Sequence, residues 1–317
     1  MQKKIIFFSS QSSDDKNFKI IIPHLKSKYK IRNIDTNKYL KIKNLYNYRK
    51  NKKKYLLKKY AQIISKSSLV ITGSSNHNYE KYIWLISKRF NIKTLCLVDS
   101  WVNLDLRFNK KNFTNFVTFP NNKIKFRGLK ELKKKSKIFY LGQPYLEKIS
   151  KINFSTKNQN ILFLSSRQNH GKDLKILCKI SKIYPKHKII LKIHQKDKGR
   201  NWLKKLKQKK IKNISINTKS LNDLLPISKY VFGIYTMGLL ASIIAKKITF
   251  VDLSYKNKNE YLYYLLEKYG YKIGKNIPSE ENIVKYKIKK FISYGIYKNS
   301  TKKITKLIDD ICNSDRN

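Results

Sequence analysis

Short apolar runs rich in Ile, Val and Phe stop at Ser, Thr, Gly or Asp and alternate with longer Lys-rich stretches in which apolar residues recur at helical spacing. In the first half, Lys4 to Phe8, Tyr29 to Ile34, Leu69 to Thr72, Thr94 to Val98, Phe116 to Phe119 and Ile138 to Tyr140 are predicted strands. In the second, Gln159 to Leu164, Lys188 to Ile193, Ile214 to Ile216, Tyr230 to Ile234 and Ile248 to Val251 are predicted strands. Continuous apolar strands joined by helices imply parallel sheets covered on both faces. A chain of 317 residues suits two cores better than one. The predicted fold class is therefore α/β, with two Rossmann-like, doubly wound domains facing a cleft. The polar stretch Ser150 to Asn160 lacks a strong period and serves as the predicted linker. It divides the chain into domains 1–151 and 152–299, followed by an amphipathic C-terminal helix in 300–317.

Composition changes this picture little. Lys and Arg number 72 against 19 Asp and Glu, a formal net charge of +53. Lys runs such as Lys52 to Lys54, Lys133 to Lys135 and Lys209 to Lys210 are spread along the chain, and Ala occurs only at Ala61, Ala241 and Ala245. An A/T-rich coding sequence gives this pattern whatever the function, so no specific nucleic-acid partner is expected. A field this positive still draws anions: nucleotides, phosphorylated lipid carriers, or the acidic face of a membrane touched peripherally. Cys96, Cys178 and Cys312 are too far apart for a disulfide framework or a Cys-x-x-Cys site, which suggests a reducing compartment. The apolar run from Ile5 to Phe8 is shorter than a signal-peptide core or a membrane span. The expected location is cytoplasmic.

In open parallel sheets, ligands sit beyond the carboxyl ends of the strands, which directs attention to the residues just after each run. Ser9, Ser10 and Gln11 follow the first strand, and Thr72-Gly73-Ser74-Ser75 follows the third. Such turns offer amides and hydroxyls to an anion, or simply cap a helix. Asp99-Ser100-Trp101-Val102-Asn103, with Asp105, Arg107 and Phe108 behind, gathers groups able to bind a sugar and position a base. The alternative is that Trp101 packs at a domain edge while Asp105 pairs with Arg107. In the second half, Ser165-Ser166-Arg167 and Lys192-Ile193-His194 end two strands and offer cations to a phosphate. Tyr230 to Ala241 reads as a buried strand turning into an apolar helix, whose first amides near Tyr235, Thr236, Met237 and Gly238 face the ligand edge. Gly233 and Gly238 have P-loop spacing, but Leu239 and Leu240 stand where Lys and Ser or Thr are required, which excludes a Walker motif. Gly-x-Gly-x-x-Gly, His-Glu-x-x-His, Gly-x-Ser-x-Gly and Asp-x-Asp are all missing. His77 and Glu80 share a predicted helix face as a surface contact, so neither a metal nor a cofactor is expected.

On these residues the chain resembles the GT-B-type proteins of bacterial surface-polysaccharide biosynthesis, a group that holds glycosyltransferases and UDP-N-acetylglucosamine 2-epimerases. Lys192-Ile193-His194-Gln195-Lys196-Asp197 is similar to their Lys-Ile-His-Pro-x-Glu strand end. Ser228 to Ala241 is similar to their Ala-Asp-x-Val-Ile-Gly-x-x-Ser-Met stretch, with Thr236-Met237 in place of Ser-Met. Asp99 to Phe108 is similar to an Asp-x-Trp-x-Asn-x-x-x-Arg-Phe segment, and Gln143-Pro144-Tyr145-Leu146 to an Asn-Pro-Tyr-Leu ending. Where many members carry a Glu that holds the ribose, this chain has Ala241-Ser242. The resemblance implies a C-terminal helix crossing back to the first domain and a metal-free sugar transferase of cell-surface glycan synthesis. Its partners would be a nucleotide-sugar donor and a glycan or lipid-linked acceptor. Asp99 and His194 are then the expected catalytic groups. Ser10, Gly73, Ser74, Trp101, Asn103, Arg107, Arg167, Lys192, Tyr235, Thr236, Met237 and Gly238 are the expected substrate-binding ones. Two other readings stand beside it: a 2-epimerase acting on a UDP-N-acetylhexosamine, which needs more carboxylates than the sequence readily offers, and a non-catalytic basic protein binding nucleic acid or acidic glycan.

Overall fold

The structure, a computed structural model, describes residues 2–10, 12–36, 60–74, 79–108, 113–152, 160–166, 170–194, 200–209, 211–254, 260–273, 277–292 and 295–314. The chain forms two units, Met1–Glu147 with Ser293–Asn317, and Lys148–Ile292. The division falls inside a helix, Pro144–Ser150, and residues 153–159 of the expected linker lie outside the described residues.

The first unit contains strands β1 (Lys4–Ser9), β2 (Lys30–Asp35), β3 (Leu69–Thr72), β4 (Lys93–Leu97), β5 (Phe116–Phe119) and β6 (Lys137–Tyr140). Its helices are α1 (Ser12–Ile21), α2 (Tyr79–Arg89), α3 (Leu104–Arg107), α4 (Leu129–Lys135), α5 (Pro144–Ser150) and, from the chain end, the helix Ser300–Asn313. The six strands are parallel in the order β2-β1-β3-β4-β5-β6. The continuous apolar run of β1 is explained by burial on both faces. Ile5 and Phe7 pack with Leu69, Ile71, Leu95 and Leu97 on one face, and Ile6 and Phe8 with Val70, Ile83 and Ile86 on the other, as the two-residue alternation of a strand requires. The first face is closed by the C-terminal helix, whose Ile304, Leu307, Ile308 and Ile311 recur at helical spacing.

The second unit contains β7 (Asn160–Leu164), β8 (Ile189–Lys192), β9 (Ile214–Asn217), β10 (Ser228–Ile234), β11 (Ile248–Asp252) and β12 (Tyr271–Lys272). Between them run α6 (His170–Ile183), α7 (Arg200–Gln208), α8 (Leu221–Leu224), α9 (Met237–Ile244) and α10 (Tyr261–Tyr269), and α11 (Glu280–Ile283) follows; the C-terminal helix is α12. The strands are again parallel, in the order β12-β11-β10-β7-β8-β9. Phe163, Tyr184, Trp202, Phe232 and Phe250 are fully buried at the centre of its core, with Phe232 stacked on Phe250 at 4.6 Å. The eleven strands read from the sequence all form, with ends that differ by a residue or two. The twelfth, β12, was not foreseen, because two residues at a sheet edge leave no apolar run to read.

The attachment of α12 rests on one buried carboxylate. Glu147 on α5 accepts hydrogen bonds from the Ser300 hydroxyl at 2.9 Å and from the Thr301 amide and hydroxyl at 2.8 Å each, satisfying the helix start with a negative charge. Gly142 makes room for it. With φ of +84°, it brings the chain so close that a Cβ there would lie 2.8 Å from the Ser300 Cβ. Glu147→Ala strips three hydrogen bonds from a buried helix start and should lower unfolding stability by about 2–3 kcal/mol, read in urea melts; Glu147→Gln should lose clearly less.

Candidate functional site

In an open parallel sheet, a crevice opens where the chain reverses its direction of travel across the strand order, and ligands collect at the carboxyl end of that crevice. In the first unit the reversal lies between β1 and β3, and in the second between β7 and β10. The two crevices carry different chemistry.

At the first, β1 delivers Ser10, β3 delivers Gly73 and Ser74, and β4 delivers Asp99 and Ser100. Asp14 comes from the first turn of α1, where an acid suits the helix dipole. Glu80 comes from the first turn of α2, and Arg107 from the end of α3. Asp14, Glu80, Asp99 and Arg107 are all at most 8% exposed. The Ser10 amide donates to Asp14 at 3.3 Å and the Ser10 hydroxyl donates to Glu80. Arg107 binds Asp99 at 2.5 Å and also donates to the Ser74 and Ser100 hydroxyls, at 2.8 and 3.0 Å. Asp14 lies flat against Gly73, where a Cβ would come within 1.9 Å of its carboxylate. Three acids and the Arg107 guanidinium are thus buried together in a region of low dielectric. Burial, together with the neighbouring Asp99 and Glu80 charges, pushes the Asp14 carboxyl well above its ordinary value. It holds its proton more tightly than a solvated Asp does.

Several expectations are revised here. Asp105 and Arg107 do not pair: residues two apart on a helix do not face each other, so Asp105 accepts the Arg127 amide at 2.7 Å while Arg107 turns inward. Glu80 is no surface residue but one of the buried acids, because α2 turns it onto β1 rather than to solvent. His77 lies outside the described residues. Trp101 is buried, and its indole N–H donates to Asn121 at 3.0 Å. Asn103 is exposed with φ of +57° at the start of α3. Asp14 escaped the sequence reading because its importance depends on β3 lying beside β1, which strand periodicity cannot reveal.

At the second crevice, Ser165 and Ser166 end β7, while Tyr235 and Thr236 lead from β10 into α9. Gly233 lets β10 approach β7 closely; a Cβ there would meet the Leu164 carbonyl at 2.8 Å. Thr236 caps α9, its hydroxyl accepting the Gly238 amide at 3.4 Å, and Met237 and Gly238 remain partly exposed. The Tyr235 hydroxyl donates to Glu260. The His194 amide donates to the Ser165 hydroxyl at 2.9 Å, which joins the ends of β7 and β8. Lys192 sends its ammonium to the Lys219 carbonyl at 2.5 Å. Arg167 lies outside the described residues. Asp173 of α6 accepts the Ser166 amide and hydroxyl at 2.7 and 3.1 Å, and nearby Lys172 pairs with Asp252 at 3.1 Å. Burial outweighs the Ser166 hydrogen bonds and raises the Asp173 carboxyl to about 7. Among the described residues, no group of three His, Cys, Asp or Glu side chains is arranged to hold a metal ion, and no helix is long and apolar enough to cross a membrane.

Two parallel, Rossmann-like units of six strands each define the GT-B class of fold. No protein-family model and no curated protein matches the sequence. Solved structures match over nearly the whole chain. The UDP-GlcNAc 2-epimerase of Methanocaldococcus jannaschii superposes with a TM-score of 0.66 at 15% identity, over 96% of this chain and 99% of that one. The UDP-GlcNAc 2-epimerase of Neisseria meningitidis, bound to UDP-GlcNAc, gives 0.64 at 11% identity, over 97% and 100%. MurG of Acinetobacter baumannii, a glycosyltransferase, gives 0.55 at 11% identity, over 97% and 99%. These neighbours are members of the GT-B superfamily, and the fold that the sequence resemblance implied is the fold this chain has.

Two outcomes test the site's electrostatics. The folded protein holds the Asp173 proton to about pH 7, whereas an unfolded Asp releases it near 3.8, so this group favours the folded state below about pH 4 and loses that contribution as pH rises to 7. Asp173→Asn should flatten this descent and gain about 2–4 kcal/mol on wild type between pH 4.5 and 8, measured by denaturant unfolding. Arg107→Met strands Asp99 without its cation and should cost about 3–5 kcal/mol in the same assay, with much of the loss recovered on adding Asp99→Leu.

Proposed function

We propose that this chain is a nucleotide-sugar enzyme that transfers the sugar without a metal. In this reading, the second unit takes the donor diphosphate at the β7/β10 crevice and the first supplies proton transfer at the β1/β3 crevice. The carrying observation is the buried group of Asp14, Glu80 and Asp99 around Gly73 and Arg107, at the edge where α/β sheets bind ligands. A carboxyl that keeps its proton beside one locked in an ion pair supplies an acid and a base from one residue type, divided by environment. The start of α9 suits a diphosphate, since the Thr236 hydroxyl, the following amides and the helix dipole favour negative charge there. The departing diphosphate is then stabilised by preorganised donors. His194 and Arg167 flank this place in the sequence and remain candidates for the same task.

A second reading, 2-epimerisation of a UDP-N-acetylhexosamine, gains from the same cluster. Removing and returning a proton at one carbon calls for more than one acid–base group, and Asp14 and Glu80 supply the carboxylates that the sequence alone did not offer. The similarity in fold to 2-epimerases agrees with it but does not choose the reaction.

Incubation with UDP-, GDP-, CMP- and CDP-linked donors separates the readings. Transfer or slow hydrolysis should release free nucleotide. Deuterium entering the sugar C2 from heavy water, with the nucleotide linkage intact, would assign epimerisation instead. Asp14→Asn preserves the shape of a protonated carboxyl, so turnover should fall about 10²–10⁴-fold while stability near neutral pH is not lowered. No heat of binding with any of these nucleotides would refute both readings.

A further inference from the structure

Nine large hydrophobic side chains stand exposed among the described residues, and three of them, Val284, Ile288 and Ile292, fall within residues 284–292. Their exposures are 67%, 49% and 54%. The segment continues from α11 through a turn at Val284 and Lys285 and packs against β12 at the edge of the second sheet. Its inward side chains pin it there. Tyr286 packs on Tyr271 at 4.6 Å and on Phe250 at 5.0 Å, and Phe291 packs on Tyr269 at 4.7 Å. Lys289 lies over the Tyr271 ring at 4.4 Å and donates to the Gly270 carbonyl, while the Tyr271 hydroxyl donates to the Lys287 carbonyl at 2.7 Å. The outward set is then Val284, Lys285, Lys287, Ile288, Lys290 and Ile292, aliphatic groups and lysines interleaved, without an acid anywhere in 284–292.

We propose that this strip is the surface by which the protein rests on an anionic lipid bilayer. Aliphatic groups suit the boundary of the acyl region, and the lysines between them suit the headgroup phosphates, each contributing attraction within a Debye length of the surface. The composition speaks against other occupants. Protein interfaces are depleted in lysine, and single-stranded nucleic acid is held by exposed aromatic rings, whereas the aromatic side chains here face inward. Diffuse charge alone would not call for three uncovered aliphatic side chains within nine residues.

Flotation of the full chain with phosphatidylcholine vesicles, with and without phosphatidylglycerol, tests this apart from any enzyme activity. Wild type should float only with the anionic vesicles. Replacing Val284, Ile288 and Ile292 together by Ser keeps every charge, yet should weaken partitioning by at least about tenfold, and Ile288→Ser alone by a smaller factor. Lys133→Ser with Lys134→Ser, a basic pair of the first unit, should stay within about twofold of wild type. Thermal melts verify that the exposed replacements fold. Wild type that ignores anionic vesicles, or a triple variant that floats as wild type does, overturns the proposal. So does a lipid-free dimer that the triple variant converts to monomer in sedimentation, since the strip would then belong to a second copy.

Discussion

A Cβ on residue 73 and the Asp14 carboxylate would claim the same space, and that close approach organises the β1/β3 crevice. The crevice can hold the acid because glycine follows β3. Once Asp14 is inside, its proton, its Ser10 hydrogen bond and its distance from the Arg107–Asp99 pair are linked quantities. Protonation of Asp14 relieves the repulsion from Asp99 and Glu80 that full ionisation would cause. A well-packed apolar group would be at least as stable there. A raised carboxyl close to an ion-paired one is what makes the crevice a candidate for proton transfer.

The second unit meets the same geometric demand with a different set of groups. Its strand order is the Rossmann one, with β7 and β10 at the centre, and Gly233 permits the two strands to close up at the point where the crevice begins. The start of α9 and the Ser165 hydroxyl stand at this edge together with the acids Asp173, Asp252 and Glu260, each already bound by a neighbouring group. The Asp173 carboxyl thereby orients a loop rather than facing a ligand, even though burial gives it an unusual proton affinity. A raised carboxyl is therefore no sufficient sign of catalysis in this fold. Its place relative to the crevice decides.

Almost the whole strand inventory was legible in the sequence, because strands buried on both faces write their apolar runs continuously, as Ile5 to Phe8 and Tyr230 to Ile234 do. The α12 helix was equally plain, since one face alone carries its apolar residues. What stayed hidden depends on neighbours that sequence order does not give. Asp99, Ser10, Gly73, Ser74 and Arg107 were found because they follow strands or a strand-end motif, and the structure brings them together. Asp14 and Glu80 sit in the first turns of helices, where an acid is ordinary, and only the β2-β1-β3 order turns both toward one crevice.

In a chain this rich in lysine, cations carry little information about function, since nearly any surface position accepts one. The acids are the informative minority. Among the described residues, Asp14, Glu80, Asp99, Glu147, Asp173 and Asp252 are buried, and each has a task a lysine could not perform. Glu147 fastens the start of α12, Asp173 receives the Ser166 amide, and Asp252 binds Lys172 and Ser254. Those three account for themselves through the backbone or a single cation. Asp14, Glu80 and Asp99 instead gather at one crevice, Asp14 on the Ser10 amide, Glu80 on the Ser10 hydroxyl and Asp99 on Arg107. By the physics of burial, like charges stay side by side only where cations, hydrogen bonds or protons compensate them, and the raised Asp14 carboxyl is one such compensation, set at the edge where sheets of this kind bind ligands.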